Sequence, residues 1–142
     1  MAKSQSERRP DVGVDVGVDV VDVARLARVL ALRGTALCQR VFTPDELADC
    51  RGSVRRMAAR FAAKEAAAKA LGTGIGPIGW RDVEIRSGAH GEPELTLAGA
   101  ALRAASERGL DRWAVSLTHD STHAVAVVVV VATGPHRIET LP

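Results

Sequence analysis

The chain has 142 residues, 46% of them hydrophobic and 25% charged, with a formal net charge of +2 at neutral pH. That length bounds it to one domain, with room for a real core but not for two independent ones. The small charge and an aromatic content of 3% argue against nucleic-acid binding, whether by phosphate attraction or by base stacking.

Residues 1–11 are polar and charged, carry no secretory signal and read as a disordered tail. From 12 to 20 valine alternates with Gly or Asp, the period of a strand with one buried face. Asp15 and Asp19 fall on the face opposite the valines, about 13 Å apart, so one metal site could use only one of them. The tetrapeptide Asp-Val-Gly-Val starts at both Asp11 and Asp15, which leaves the register open. Asp22 is suited to N-cap a helix over 23–32, whose face carries Arg25 and Arg28 with Arg33 near its end. After a connecting segment, Thr43-Pro44-Asp45-Glu46 reads as a second helix start with proline in the first turn. A long helix is predicted over 54–71, stopped at Gly72.

Strands follow at 80–86 and 94–97, joined by a glycine-containing hairpin turn over 87–93. Residues 99–108 read as a helix ending at Gly109, then 113–118 and 122–132 as a strand pair around His119-Asp120-Ser121. The continuous valines of the last strand predict burial on both faces. That apolar run is too short to span a bilayer as a helix, and 134–142 is left as a C-terminal tail. Cys38 and Cys50 fit no metal spacing and read as free thiols. A cytoplasmic α+β domain over 12–133 is expected, its mainly antiparallel sheet packed with a long central helix and in no contact with membrane.

The chemistry concentrates in the long helix. At about 100° per residue, Glu65 lies roughly 20° from Val54 and Ala58 and roughly 40° from Phe61, all on the apolar stripe. An inward carboxylate needs a partner, and two are available: Lys69 one turn later, or a metal ion. An exposed Glu65–Lys69 pair is the competing account, contributing only about 0.3–0.5 kcal/mol. Arginine outnumbers lysine sixteen to three, yet Lys64 and Lys69 flank this glutamate, beside a basic row of Arg56, Arg60 and Lys64. Gly72-Thr73-Gly74-Ile75-Gly76 could bring backbone amides to an anion or simply cap the helix; it is not a P-loop. His119 and His123 are separated by a turn, so helical zinc spacing does not apply. His119 could still meet a phosphate at its strand end, or be an ordinary surface histidine.

Taken together, three patches resemble the holo-[acyl-carrier-protein] synthase family of 4′-phosphopantetheinyl transferases. They are Gly17-Val-Asp-Val-Val-Asp-Val-Ala-Arg25; the run from Arg60-Phe-Ala-Ala-Lys-Glu to Gly76; and Val115-Ser-Leu-Thr-His119 with the Ala/Val-rich strand after it. The likeness covers residues 16–132. It selects Asp19 over Asp15, because only Asp19 has an arginine six residues on. The resemblance implies a 4′-phosphopantetheinyl transferase-like fold. It also implies transfer of the phosphopantetheine arm of coenzyme A to a serine of an apo acyl carrier protein, releasing adenosine 3′,5′-bisphosphate. Asp19 and Glu65 would hold Mg²⁺, an ion suited to one or two carboxylates plus waters and phosphate oxygens. Lys64 and Lys69 would bind phosphate, with Lys69 counted beside the two acids as catalytic. Arg60, Gly72, Thr73, Gly74 and His119 would serve the nucleotide and its phosphates. Arg25, Arg28 and Arg33 would steer and hold the acidic carrier. A homotrimer with active sites at subunit boundaries is expected by the same resemblance.

Two other functions remain open on sequence grounds. One is a non-catalytic basic module that binds an acidic carrier or another acidic protein through the first helix. The other is a nucleotide-binding regulator that uses the glycine loop.

Overall fold

The computed structural model of the protein describes residues 13–133. Both expected tails, and Val12 at the expected start of the first strand, lie outside the described residues. In chain order come β1 (Val14–Asp22), α1 (Val23–Val41), α2 (Pro44–Cys50) and α3 (Val54–Leu71). A 3-10 turn (Trp80–Asp82) then leads into β2 (Val83–Ser87), β3 (Pro93–Leu97), α4 (Gly99–Glu107), β4 (Arg112–His119) and β5 (His123–Val131). The main sheet has the order β1-β5-β4, antiparallel throughout, and β2-β3 is a separate hairpin. This is the expected α+β arrangement, with α3 laid across the sheet.

Helix α3 starts where the Ser53 hydroxyl accepts the Arg56 amide at 3.3 Å and stops at Gly72, whose φ of 77° is left-handed. Its buried side chains include Ala58, Ala59, Ala62, Ala63, Ala66, Ala67, Ala68 and Ala70. A helix so smooth can approach the sheet closely, and β1 supplies the matching notch. A Cβ on Gly17 would lie 2.7 Å from the Ala66 carbonyl carbon and 3.0 Å from the Ala70 nitrogen. Glycine is therefore required there for contact, not for φ. The core continues through Leu71, Ile78, Val83, Ile85, Val128 and Val130.

Three expectations change. The buried face of β1 is the Gly/Asp face; Val14, Val16, Val18 and Val20 are 49–57% exposed. The alternation was read correctly as strand period, but only the face with a glycine gap can seat α3. Strand β5, expected to be buried on both faces, is fully buried on only one. Ala124, Ala126, Val128 and Val130 are buried against α3, whereas Val127 on the other face is 38% exposed in the single chain. Helix α1 also runs past the expected end near 32: Gly34 breaks it with φ 57° and ψ −144°, and the helix resumes to Val41. Leu37 and Val41 face a cavity shared with Leu26 and Phe61, and that burial carries the second half onward.

Candidate active site

The crossing of β1 over α3 brings the three expected catalytic residues together. Asp19 follows Gly17 on the same strand face, so the close backbone approach carries its carboxylate to the last two turns of α3. Lys69 donates to Asp19 Oδ1 at 3.1 Å and to the Val18 carbonyl at 3.0 Å. Lys69, one of the two partners open to Glu65 on sequence grounds, is thus turned to Asp19. Burial, and secondarily the Asp19 charge, pushes the Glu65 carboxyl above its usual range, with Lys69 pulling it partly back. Two carboxylates and one ammonium are thus gathered where β1 crosses α3, with the Asp19 charge disfavouring that of Glu65.

Asp15, the other half of the repeated tetrapeptide, lies away from this cluster. Its Oδ2 accepts from Arg108 Nη2 at 2.6 Å. Arg108 also caps the end of α3 through the Leu71 carbonyl at 2.6 Å.

Lys64 corrects an expectation. Its side chain is 0% exposed, and its ammonium donates to Glu46 Oε1 at 2.7 Å and to the carbonyls of Trp80 at 3.0 Å and Val83 at 2.5 Å. All three of its donors are engaged inside the protein, so no donor is left for a phosphate. Burial pushes its pKa down, with Glu46 opposing. The expected row Arg56, Arg60, Lys64 is therefore not a continuous surface.

Arg60 is 5% exposed. Its Nε donates to the Ile85 carbonyl at 3.0 Å and its Nη2 to Ser87 Oγ at 2.9 Å. It nevertheless lines a cavity of about 600 Å³ with Arg51, Arg56, Ser87 and His119. Arg60 and His119 meet in this cleft, where three guanidinium groups and an imidazole outnumber the one carboxylate, Asp49. The turn after His119 is fixed by Asp120, whose carboxylate accepts the amides of His123 and Thr122 and titrates at about 2.

The glycine loop is a helix cap. Gly72 N–H donates to the Lys69 carbonyl at 3.0 Å, and the amides of Thr73 and Gly74 both donate to the Ala68 carbonyl at 3.2 Å. An anion cradle built from the amides of Gly72, Thr73 and Gly74 is therefore overturned, since those donors satisfy carbonyls at the helix end. On α1, Arg25, Arg28 and Arg33 are all exposed. Asp22 caps that helix as predicted, accepting the Arg25 amide at 2.9 Å, and this bond lowers its pKa.

A second cavity, about 650 Å³ in volume, joins Asp19 and Arg25 to apolar walls that include Phe61 and Trp80. The Phe61 and Trp80 rings pack at a centroid distance of 4.6 Å. Sequence reasoning missed Trp80, Arg51 and Glu46. Glu46 carried a misleading signal, because it completes a capping box with Thr43 and so reads as a solvated first-turn acid.

Among the described residues, no group of three or more His, Cys, Asp or Glu side chains could hold a metal. The two-carboxylate set of Asp19 and Glu65 fits a divalent ion that takes its remaining ligands from water and phosphate, and does not fit zinc.

Residues 15–128 match the model of the 4′-phosphopantetheinyl transferase superfamily. A holo-[acyl-carrier-protein] synthase of Geotalea daltonii is 47% identical over 117 residues, covering 80% of this chain and 94% of the relative. The holo-[acyl-carrier-protein] synthase of Helicobacter pylori, solved in complex with coenzyme A, superposes with a TM-score of 0.75 at 30% identity, covering 81% of this chain and 98% of the other. That of Neisseria meningitidis gives 0.74 at 36% identity, covering 82% and 96%. By sequence and by fold, the chain belongs to the 4′-phosphopantetheinyl transferase superfamily.

Proposed function

We propose that this protein transfers the 4′-phosphopantetheine arm of coenzyme A to a serine hydroxyl of an apo acyl carrier protein. The observation that carries the reading is the meeting of Asp19, Glu65 and Lys69 where β1 crosses α3. The family membership and the coenzyme A complex of the Helicobacter pylori relative support the same substrate. In the reaction, the serine oxygen bonds to the phosphorus next to pantetheine, and the bond from that phosphorus to the bridging oxygen breaks. Adenosine 3′,5′-bisphosphate leaves, and the serine proton is released.

Asp19 and Glu65 are the proposed ligands of Mg²⁺, which when bound would neutralise pyrophosphate charge and orient the reacting phosphoryl group. Lys69 has three donors, two of them engaged with Asp19 and Val18. Its side chain is 53% exposed, so the remaining donor is available to a phosphate oxygen. The cleft of Arg51, Arg56, Arg60 and His119 is the proposed seat of the nucleotide's phosphate. Arg25, Arg28 and Arg33 would meet the acidic carrier, steering encounter as well as holding it.

A homotrimer is the proposed assembly. Arg56 lies about 180° and Arg60 about 140° around α3 from Glu65. In one chain the anion cleft and the carboxylates therefore occupy different sides of the helix. A neighbouring copy packed on the outward valines of β1 and β5 would cover an apolar face and join one chain's cleft to the other's acids. The cytoplasm is the proposed setting, where a reducing environment would keep Cys38 and Cys50 as thiols.

Incubation with coenzyme A, Mg²⁺ and a panel of apo carriers, read by mass spectrometry, tests the reading. One carrier should gain a single phosphopantetheine unit. Carrier binding with no mass gain across the panel would favour the non-catalytic module instead.

A further inference from the structure

The Glu46–Lys64 pair is outside the proposed site, yet both of its charges are fully buried and hydrogen-bonded. Both side chains are 0% exposed. Glu46 Oε1 accepts from Lys64 at 2.7 Å and from the Thr43 amide at 2.9 Å, while Oε2 accepts the Ile85 amide at 3.0 Å. Lys64 adds the carbonyls of Trp80 and Val83. One pair thus ties the start of α2, the middle of α3, the 3-10 turn and β2.

Stability alone does not explain it. A buried ion pair is commonly no more stabilising than well-packed apolar residues of the same volume, because both charges lose their water. What such a pair adds is direction. Three hydrogen bonds from one ammonium fix the rotation of α3 about its axis at residue 64, and Glu65 is the next residue. The Trp80 carbonyl is held by the same ammonium, and the Trp80 ring packs on Phe61 beside Asp19.

We propose that Glu46, acting through Lys64, is a positioning residue that sets the angle of Glu65 toward Asp19 and holds the Phe61–Trp80 wall beside them. The inference rests on the transferase reading. Arg60 keeps bonds of its own to the Ile85 carbonyl and to Ser87 Oγ, with Asp49 4.0 Å away, so the anion cleft leans on the pair only indirectly, through Ile85, whose amide Glu46 holds, and through α2. Loss of the pair should therefore affect turnover far more than coenzyme binding.

The test is the double variant Glu46→Leu/Lys64→Met, which removes both charges at similar volume. It should melt within a few degrees of the parent and keep its KM for coenzyme A within about twofold. Its kcat should fall at least tenfold. Mg²⁺ titration of the coenzyme-free protein reads the same displacement without turnover, and affinity should fall at least fivefold. A kcat and a Mg²⁺ affinity both within twofold of the parent would overturn the proposal. Should the double variant not fold, Glu46→Asp keeps the charge and shortens the reach. It should lower kcat at least threefold at unchanged KM, and an unchanged kcat there overturns the proposal equally. An inactive parent with an intact Mg²⁺ difference between parent and variant would instead fault the transferase reading.

Discussion

Gly17 and Ala66 meet backbone to backbone, with no room between them for a single methyl group. The placement of Asp19 is downstream of that contact, since it rides on the strand that Gly17 brings to α3. Gly17→Ala should therefore cost stability as an overpacked core does, about 1–3 kcal/mol or more. Transfer should fall with it, because the strand must move away and take Asp19 along. Urea unfolding and a transfer assay check both effects. Parental stability in the variant would mean that the two backbones are not packed as described.

Glu65 gives a signed pH prediction. Its pKa is raised above the usual 4.5 by burial first and by Asp19 second. The folded state then binds that proton more tightly than the unfolded chain does. Metal-free stability must decline as pH rises from about 4.5 through the raised value. Glu65→Gln should remove this decline and be no less stable at neutral pH, while transfer drops by about 100-fold or more. Thermal melts across pH without metal read the first effect, and an unaltered pH dependence would contradict it.

Lys69 moves the same titration the other way. Its charge lowers the Glu65 pKa, so Lys69→Met should raise that pKa further. The acidic limb of kcat/KM, which reports the free enzyme, should shift to higher pH as the overall rate falls. A slower enzyme with an unmoved acidic limb would separate Lys69 from Glu65.

How much of this could be read beforehand depended on what each pattern encodes. The span of helix α3 was legible, since its stop at Gly72 is a local signal. The N-cap of α1 at Asp22 and the start of α2 at Thr43-Pro44 were legible for the same reason. Which face of β1 is buried was not legible. Alternation gives a period but not a direction, and the direction was decided by a contact 49 residues away in sequence, between Gly17 and Ala66. Lys64 was misassigned because its partner Glu46 is distant in sequence and hidden by its capping role. The pairing of Lys69 with Asp19 instead of Glu65 likewise rests on a strand–helix crossing that helical spacing cannot express.

The exposed valine face yields a prediction about assembly. Val16 and Val18 are 54% and 50% exposed in the single chain, a costly surface at about 25 cal/mol per Å² of apolar area. Sedimentation should show the parent as a trimer and Val16→Glu/Val18→Lys as a monomer. Transfer should be lost in the monomer. A parent that sediments as a monomer at working concentration, with full activity, would contradict the shared site.

The most direct test of the central claim is a crystal structure grown with Mg²⁺ and coenzyme A. The account predicts one ion bound by an oxygen of Asp19 and an oxygen of Glu65, each at about 2.0–2.1 Å, with pyrophosphate oxygens completing the shell. An ion bound by neither acid, or the two carboxylates too far apart to share one in the assembled protein, would contradict it.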